Sequence, residues 1–223
     1  MPVDFLSAGH QAAYGRYSES PSAAQLERFF HFDERDRALI DRRRGDHNRL
    51  GFAVQLGTVR FLGAFLARPA EAPQVVAARV AEELRVDPGC LTDYAKREPT
   101  HREHAGEIQR EYGYRDFSEA SAQTELVGWL DARAWATAER PSVLFDLATA
   151  RLIEAKVLLP GASVLARAVA SARDRAATRL YRTLAEAATE RRHRLERLLE
   201  VPDEEQLSPL EVLRAGPRKL TAK

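Results

Sequence analysis

Residues 42–63 read RRRGDHNRLGFAVQLGTVRFLG, too apolar for a solvent-facing helix and too polar for a membrane span. At 100° per residue, Leu50, Ala53, Val54, Gly57 and Phe61 fall on one side, and Phe52, Leu56 and Val59 on another. The helix from 46 to 62 therefore has two apolar faces and needs packing partners on both. Such a helix is the central beam of a small bundle, open to solvent along its edges and at its N-terminus. One edge carries Asn48, Gly51, Gln55 and Thr58; the other carries Arg49 and Arg60.

The rest of the chain supplies helices to surround such a beam. Ser22 after Pro21 starts one with Leu26, Phe29 and Phe30, and Asp33 caps a second that carries Leu39 and Ile40 and stops near Gly45. Asp46 caps the third, so 34–43 followed by 46–62 has a helix-turn-helix outline. Further on, Pro99 ends a helix and Thr100 with Glu103 makes a T-x-x-E capping box, a second such outline. Leu126, Trp129, Leu130 and Trp135, then Leu144, Leu147, Leu152, Ile153 and Leu158, read as core. After Gly161 a helical pattern runs to about Glu200, with the narrow seam Leu165, Ala168, Ala172, Ala176, Leu180, Leu184, Ala187, Leu195 and Leu198.

Ala, Arg, Leu and Glu are prominent and β-branched residues are not clustered, which favours helix. The expected fold class is all-α: tandem small helical bundles with helix-turn-helix-like units, followed by a long C-terminal helix. The expected division is a first module over 1–68, a second over 69–160, a helical strut over 161–202 and a loose tail over 203–223.

Several function classes have no support. No apolar run reaches the ~18 residues of a spanning helix, and the first residues carry neither a basic leader nor an apolar segment, so a cytoplasmic protein without membrane contact is expected. The single cysteine, Cys90, cannot form an internal disulfide or a thiolate cluster and reads as a helix-start core residue. His101 and His104 share a helix face with Ala105, Ile108 and Tyr112. With no ligand set nearby, they read as packing residues rather than metal ligands. There is no Walker lysine loop, no G-x-S-x-G elbow and no paired carboxylates on a distinctive frame, so neither catalysis nor a cofactor is expected.

Charge is informative only locally, since 34 basic against 33 acidic residues leave a net +1. Between Arg35 and Leu62, seven arginines face three aspartates, a net +4. Arg42, Arg43, Arg44, His47, Asn48 and Arg49 gather at the open end of the central helix, where unsatisfied N–H groups and guanidinium forks suit a phosphate. Asn48 and Gln55 could pair with adenine if their edge faces a groove, or satisfy neighbouring backbone if it is packed. Arg60, on the other edge, is a further candidate for DNA contact. In the second outline Lys96, Arg97, Arg102 and Arg110, with Thr100 and Gln109, are outward candidates, although the local balance there is only +1. Between Val164 and Glu200 nine arginines face five acids, which suits a strut toward DNA, a second copy or another domain.

The stretch RRRGDHNRLGFAVQLGTVRFLG closely resembles a signature of the large replicative transposases of the Tn-three family, and YGRYSESPSAAQLERFFHFDERDRALI resembles the segment leading into it. REHAGEIQREYGYRDF continues the likeness, and LYRTLAEAATERRHRLERLLEV and SPLEVLRAGP extend it more loosely. The resemblance implies a bacterial, nucleoid-associated region that binds the terminal inverted repeats of a transposon as double-stranded DNA. It also implies downstream transposase domains that hold the catalytic carboxylates, a homodimer being a further partner to consider. It makes the residues around Thr100, Arg102 and Gln109 a second DNA-contacting module. Two other functions stay open from sequence: a helical protein-interaction module using the alanine seam, and a truncated repressor that occupies transposon ends.

Overall fold

A computed structural model describes residues 5–96, 98–201 and 206–215. Among these the regular structure is helical, and the one strand-like pairing is an isolated parallel bridge between Arg115 and Val157. The all-α expectation holds. The first three helices are α1 (Ala8–Ala13), α2 (Ala23–Phe29) and α3 (Glu34–Asp41), followed by the long α4 (Asp46–Leu62). Ser22 caps α2 in a capping box with Gln25, and Asp33 caps α3 in another with Asp36. The cap of α4 is Gly45 rather than Asp46, at φ 80°, a conformation that favours glycine; Asp46 is the first helical residue.

Next come α5 (Gln74–Leu84), the short α6 (Leu91–Ala95) and α7 (Glu98–Tyr112). Helix α7 starts ahead of the expected Thr100 cap, so Pro99 and Thr100 lie inside its first turn. Proline is tolerated there because the first N–H groups of a helix have no intrahelical acceptor. The order closes with α8 (Ala120–Ala136), α9 (Pro141–Glu154), α10 (Ala162–Leu199) and α11 (Pro209–Ala215).

Every residue from Leu50 to Val59 of α4 is buried. Its core includes Phe30, Phe32, Leu39 and Ile40 from the elements before it and Val76, Val80, Tyr94 and Ile108 from those after it. A helix apolar on two faces cannot be covered by α2 and α3 alone, so α5, α6 and α7 close over it. This first core thus draws on both sides of the division expected after residue 68. Two glycines allow the closest packing: a Cβ on Gly51 would stand 2.2 Å from the Tyr94 ring, and one on Gly57 2.2 Å from Phe30.

A second core joins Leu126 and Leu130 of α8, Leu144, Phe145, Ala148 and Leu152 of α9, and Leu165, Val169 and Ala172 of α10. Backbone bonds tie it to the first: Leu158 N–H donates to Arg115 O, and Leu159 N–H to Gly63 O. Of the two tryptophans expected inside, Trp129 is half-buried under the Arg151 guanidinium, whereas Trp135 is 41% exposed.

The chain divides into two compact units, residues 1–173 and 174–223. The expected seam of α10 is core only as far as Ala172; in the second unit Leu180, Leu184 and Leu195 are exposed. There, Arg192 pairs with Glu196 at 2.6 Å along the helix. The stretch expected to be a loose tail contains α11, preceded by Ser208, whose hydroxyl accepts from Glu211 N–H. The last residues, 216–223, lie outside those described.

Candidate nucleic-acid interface

The turn between α3 and α4 separates its arginines by what surrounds them. Arg43 points inward, forks onto Glu107 of α7 at 2.7 and 2.6 Å, and stacks on the Phe52 ring. Arg42 and Arg44, on either side of it, are exposed and make no ion pair among the described residues. His47 is half-buried, its ring folded back on Gly45. Arg49 spans Asp41 at 2.7 Å and Asp46 at 3.5 Å. The Asn48 amide donates one of its two N–H groups to Arg44 O at 2.8 Å, and its Oδ1, the acceptor that bidentate adenine pairing needs, is buried.

Both polar edges of α4 are closed beyond this first turn. Gln55 is 1% exposed; its amide donates to Leu66 O and accepts from Leu66 N–H, both at 2.9 Å. It satisfies a loop backbone, and groove contact is excluded for it by burial. Thr58 is likewise buried, 2.8 Å from the Tyr17 hydroxyl. Arg60 is also internal in role. Its fork bonds Asp36 at 2.8 and 2.7 Å, its guanidinium lies over Tyr112, and the Tyr112 hydroxyl donates to the same carboxylate at 2.6 Å. Burial opposes the charge on Asp36, but bonds from Arg60 and Tyr112 hold it below the usual carboxylate range. The DNA contacts expected of Arg43 and Arg60 are therefore replaced by buried pairing, a commitment that an arginine count cannot reveal.

Helix α7 is built differently, with one inner and one outer face. His101, His104 and Ile108 turn inward, and Arg102, Glu103 and Arg110 outward; Thr100 and Gln109 sit half-buried at the edges. Lys96, before the helix, is exposed and pairs with Asp93 at 2.8 Å; Arg97 lies outside the described residues. Sequence reasoning passes over Glu103 and Gly106 as outward residues. The signal is available in the three- and four-residue spacing of Arg102, Glu103, Gly106 and Arg110.

Both histidines serve as packing groups. His101 Nε2 is 2.6 Å from Tyr94 O, and His104 Nδ1 is 3.1 Å from the Tyr94 hydroxyl. Burial, then the neighbouring Arg43, lowers His104 from its ordinary 6.5 to about 4. The folded protein holds it neutral while the unfolded chain takes up a proton near pH 6.5. Stability is thus complete above that pH and falls as pH drops toward 4, by on the order of 2–3 kcal/mol. Urea midpoints between pH 7 and 4 should decline in the wild type and flatten in His104→Gln; equal slopes would remove His104 as the cause.

The family model described as "Domain of unknown function (DUF4158)" matches residues 5–172. The chain belongs to that family. This DUF4158 chain is 44% identical over 219 residues to the transposase for transposon gamma-delta of Escherichia coli (strain K12), covering 97% of the chain and 22% of that protein. Its identity with the transposase for transposon Tn501 of Pseudomonas aeruginosa is 36% over 205 residues, covering 89% of the chain and 20% of that protein. With the transposase for transposon Tn1546 of Enterococcus faecium it is 30% over 172 residues, 77% of the chain and 17% of that protein. The chain thus spans about a fifth of the length of the curated relatives it matches. The resemblance noted in the sequence extends over almost all of it, and relative to those proteins it is a fragment. No helix among the described residues is long and apolar enough to cross a membrane.

Proposed function

We propose that this chain binds double-stranded DNA at the terminal inverted repeats of a transposon, as part of a transposase whose strand chemistry lies in other domains. The observation that carries this reading is the likeness to transposases over 97% of the chain, combined with Arg42 and Arg44 standing unpaired on a turn. The Arg43–Glu107 pair fastens that turn to α7. Unpaired guanidinium groups suit phosphate, while paired ones such as Arg60 do not. The α3–α4 and α6–α7 pairs act as helix-turn-helix units, the first fixing register on the backbone. Residues Arg42, Arg44, His47, Arg102 and Arg110 form the DNA-facing set.

Replacing Arg42 and Arg44 together by alanine should weaken binding by a similar factor on transposon-end and random duplexes. The slope of log affinity against log salt should flatten by about 2 units if each touches one phosphate. Fluorescence anisotropy across a salt series, with circular dichroism to check the fold, measures this. Unchanged binding in the folded double variant would sink the phosphate role.

A protein-interaction reading is favoured by one observation, the exposed Leu180, Leu184, Leu195 and Leu199 of α10. Binding through such apolar groups would hardly respond to salt, so the same titration separates the two readings.

A further inference from the structure

Beyond its first turn helix α4 cannot read bases, because its residues from 50 to 59 are all buried. Helix α7 has an open outer face, and in its middle stands a glycine that nothing inside the protein requires. Gly51 and Gly57 are small because Tyr94 and Phe30 occupy the space beside them, and Gly113 has a φ of 69°. Gly106 has neither reason. It is helical, and a Cβ there would meet only the Arg110 guanidinium, at 3.5 Å, an ordinary contact. A glycine inside a helix weakens it. Gly128 of α8 is equally open, but Gly106 stands among Arg102, Glu103 and Arg110, where a missing side chain leaves room for a partner approaching from outside.

Glu103, on the same face, is exposed and makes no ion pair among the described residues, whereas Glu107 one turn later is held by Arg43. Phosphates would repel an unpaired carboxylate among the arginines of a DNA-binding surface. A base amino group would bond it. Cations frame this face: Arg102 and Arg110 lie on it, and the Arg43–Glu107 pair fixes the turn of Arg42 and Arg44 against the same helix.

Resting on the DNA-binding reading, we propose that the outer face of α7 enters the major groove of duplex DNA. Gly106 is its point of closest approach, and Glu103 is a specificity-determining residue that accepts a hydrogen bond from the N4 amino group of a cytosine. A guanine in place of that cytosine offers only its N7 and O6 acceptors, and thymine its O4, to the carboxylate, so against these two bases Glu103 discriminates by repulsion as well as by bonding. Arg110, folded back over Gly106 in the free protein, swings toward a guanine or a phosphate on docking.

Selection from a random duplex library tests this whatever the recognised sequence is. The full 223-residue chain is compared with Gly106→Ala and Glu103→Gln, each also measured by thermal melting and by anisotropy on the wild-type consensus and on scrambled duplex. Gly106→Ala should melt at or above the wild-type temperature, yet lose at least tenfold in affinity for the consensus while keeping its scrambled-duplex affinity. Glu103→Gln should keep the wild-type melt and lose selection for cytosine at one position of the consensus only. If the wild type selects a sequence and both variants select it with equal affinity, this assignment of α7 fails and the DNA-binding reading stands. Failure of the wild type to bind any duplex overturns both.

Discussion

Arg60→Ala should destabilise the protein by ~3–5 kcal/mol, because it strands a carboxylate that folding has removed from water. Asp36 is 1% exposed and is satisfied by two bonds from Arg60, one from Tyr112 and one from Asp33 N–H. Removing the guanidinium leaves the Tyr112 and Asp33 bonds and a buried negative charge. Arg60→Lys should recover only part of the loss, since an ammonium cannot reproduce the fork. Combining Arg60→Met with Asp36→Asn should recover more than either single change predicts, because the buried charge then disappears with its partner. Urea unfolding of these variants and the two single changes gives the coupling. A normal unfolding midpoint in Arg60→Ala together with weakened DNA binding would return Arg60 to the interface.

Gly51→Ala and Gly57→Ala should each cost about 3 kcal/mol or more, at the upper end of what overpacking does. The added methyl would stand 2.2 Å from ring carbons of Tyr94 and Phe30, both fully buried, so neither ring can step aside into solvent. Tyr94 is further held through its hydroxyl to His104. Alanine is the better helix former, so propensity alone predicts stabilisation, and the sign of the effect separates packing from propensity. Thermal melts of the two variants decide it; a raised melting temperature in either would mean that α4 can slide away from its neighbours, contrary to a beam packed on all sides.

The sequence by itself is sufficient for the helices and for the character of α4. Periodicity places Leu50, Phe52, Leu56 and Val59 on opposed faces, and a helix so patterned has no stable alternative to burial on both. Caps such as Ser22 and Asp33 are legible because a side chain bonding its own helix terminus is a local event. Asp46 and Thr100 read as caps and are not, because a glycine at positive φ and a proline in the first turn serve as well, and the local pattern does not rank them. Tertiary structure alone decides which polar residues face outward. Arg42, Arg43 and Arg44 are chemically identical and adjacent, yet only the middle one meets Glu107, 64 positions away in the chain. Gln55 and Arg60 likewise carry groups that suit DNA, and each is consumed by a partner, the Leu66 backbone or Asp36, that packing brings to it. A charged or amide side chain serves whichever complementary group arrives first at hydrogen-bonding distance, and that arrival is a property of how helices stack, which a one-dimensional pattern does not encode.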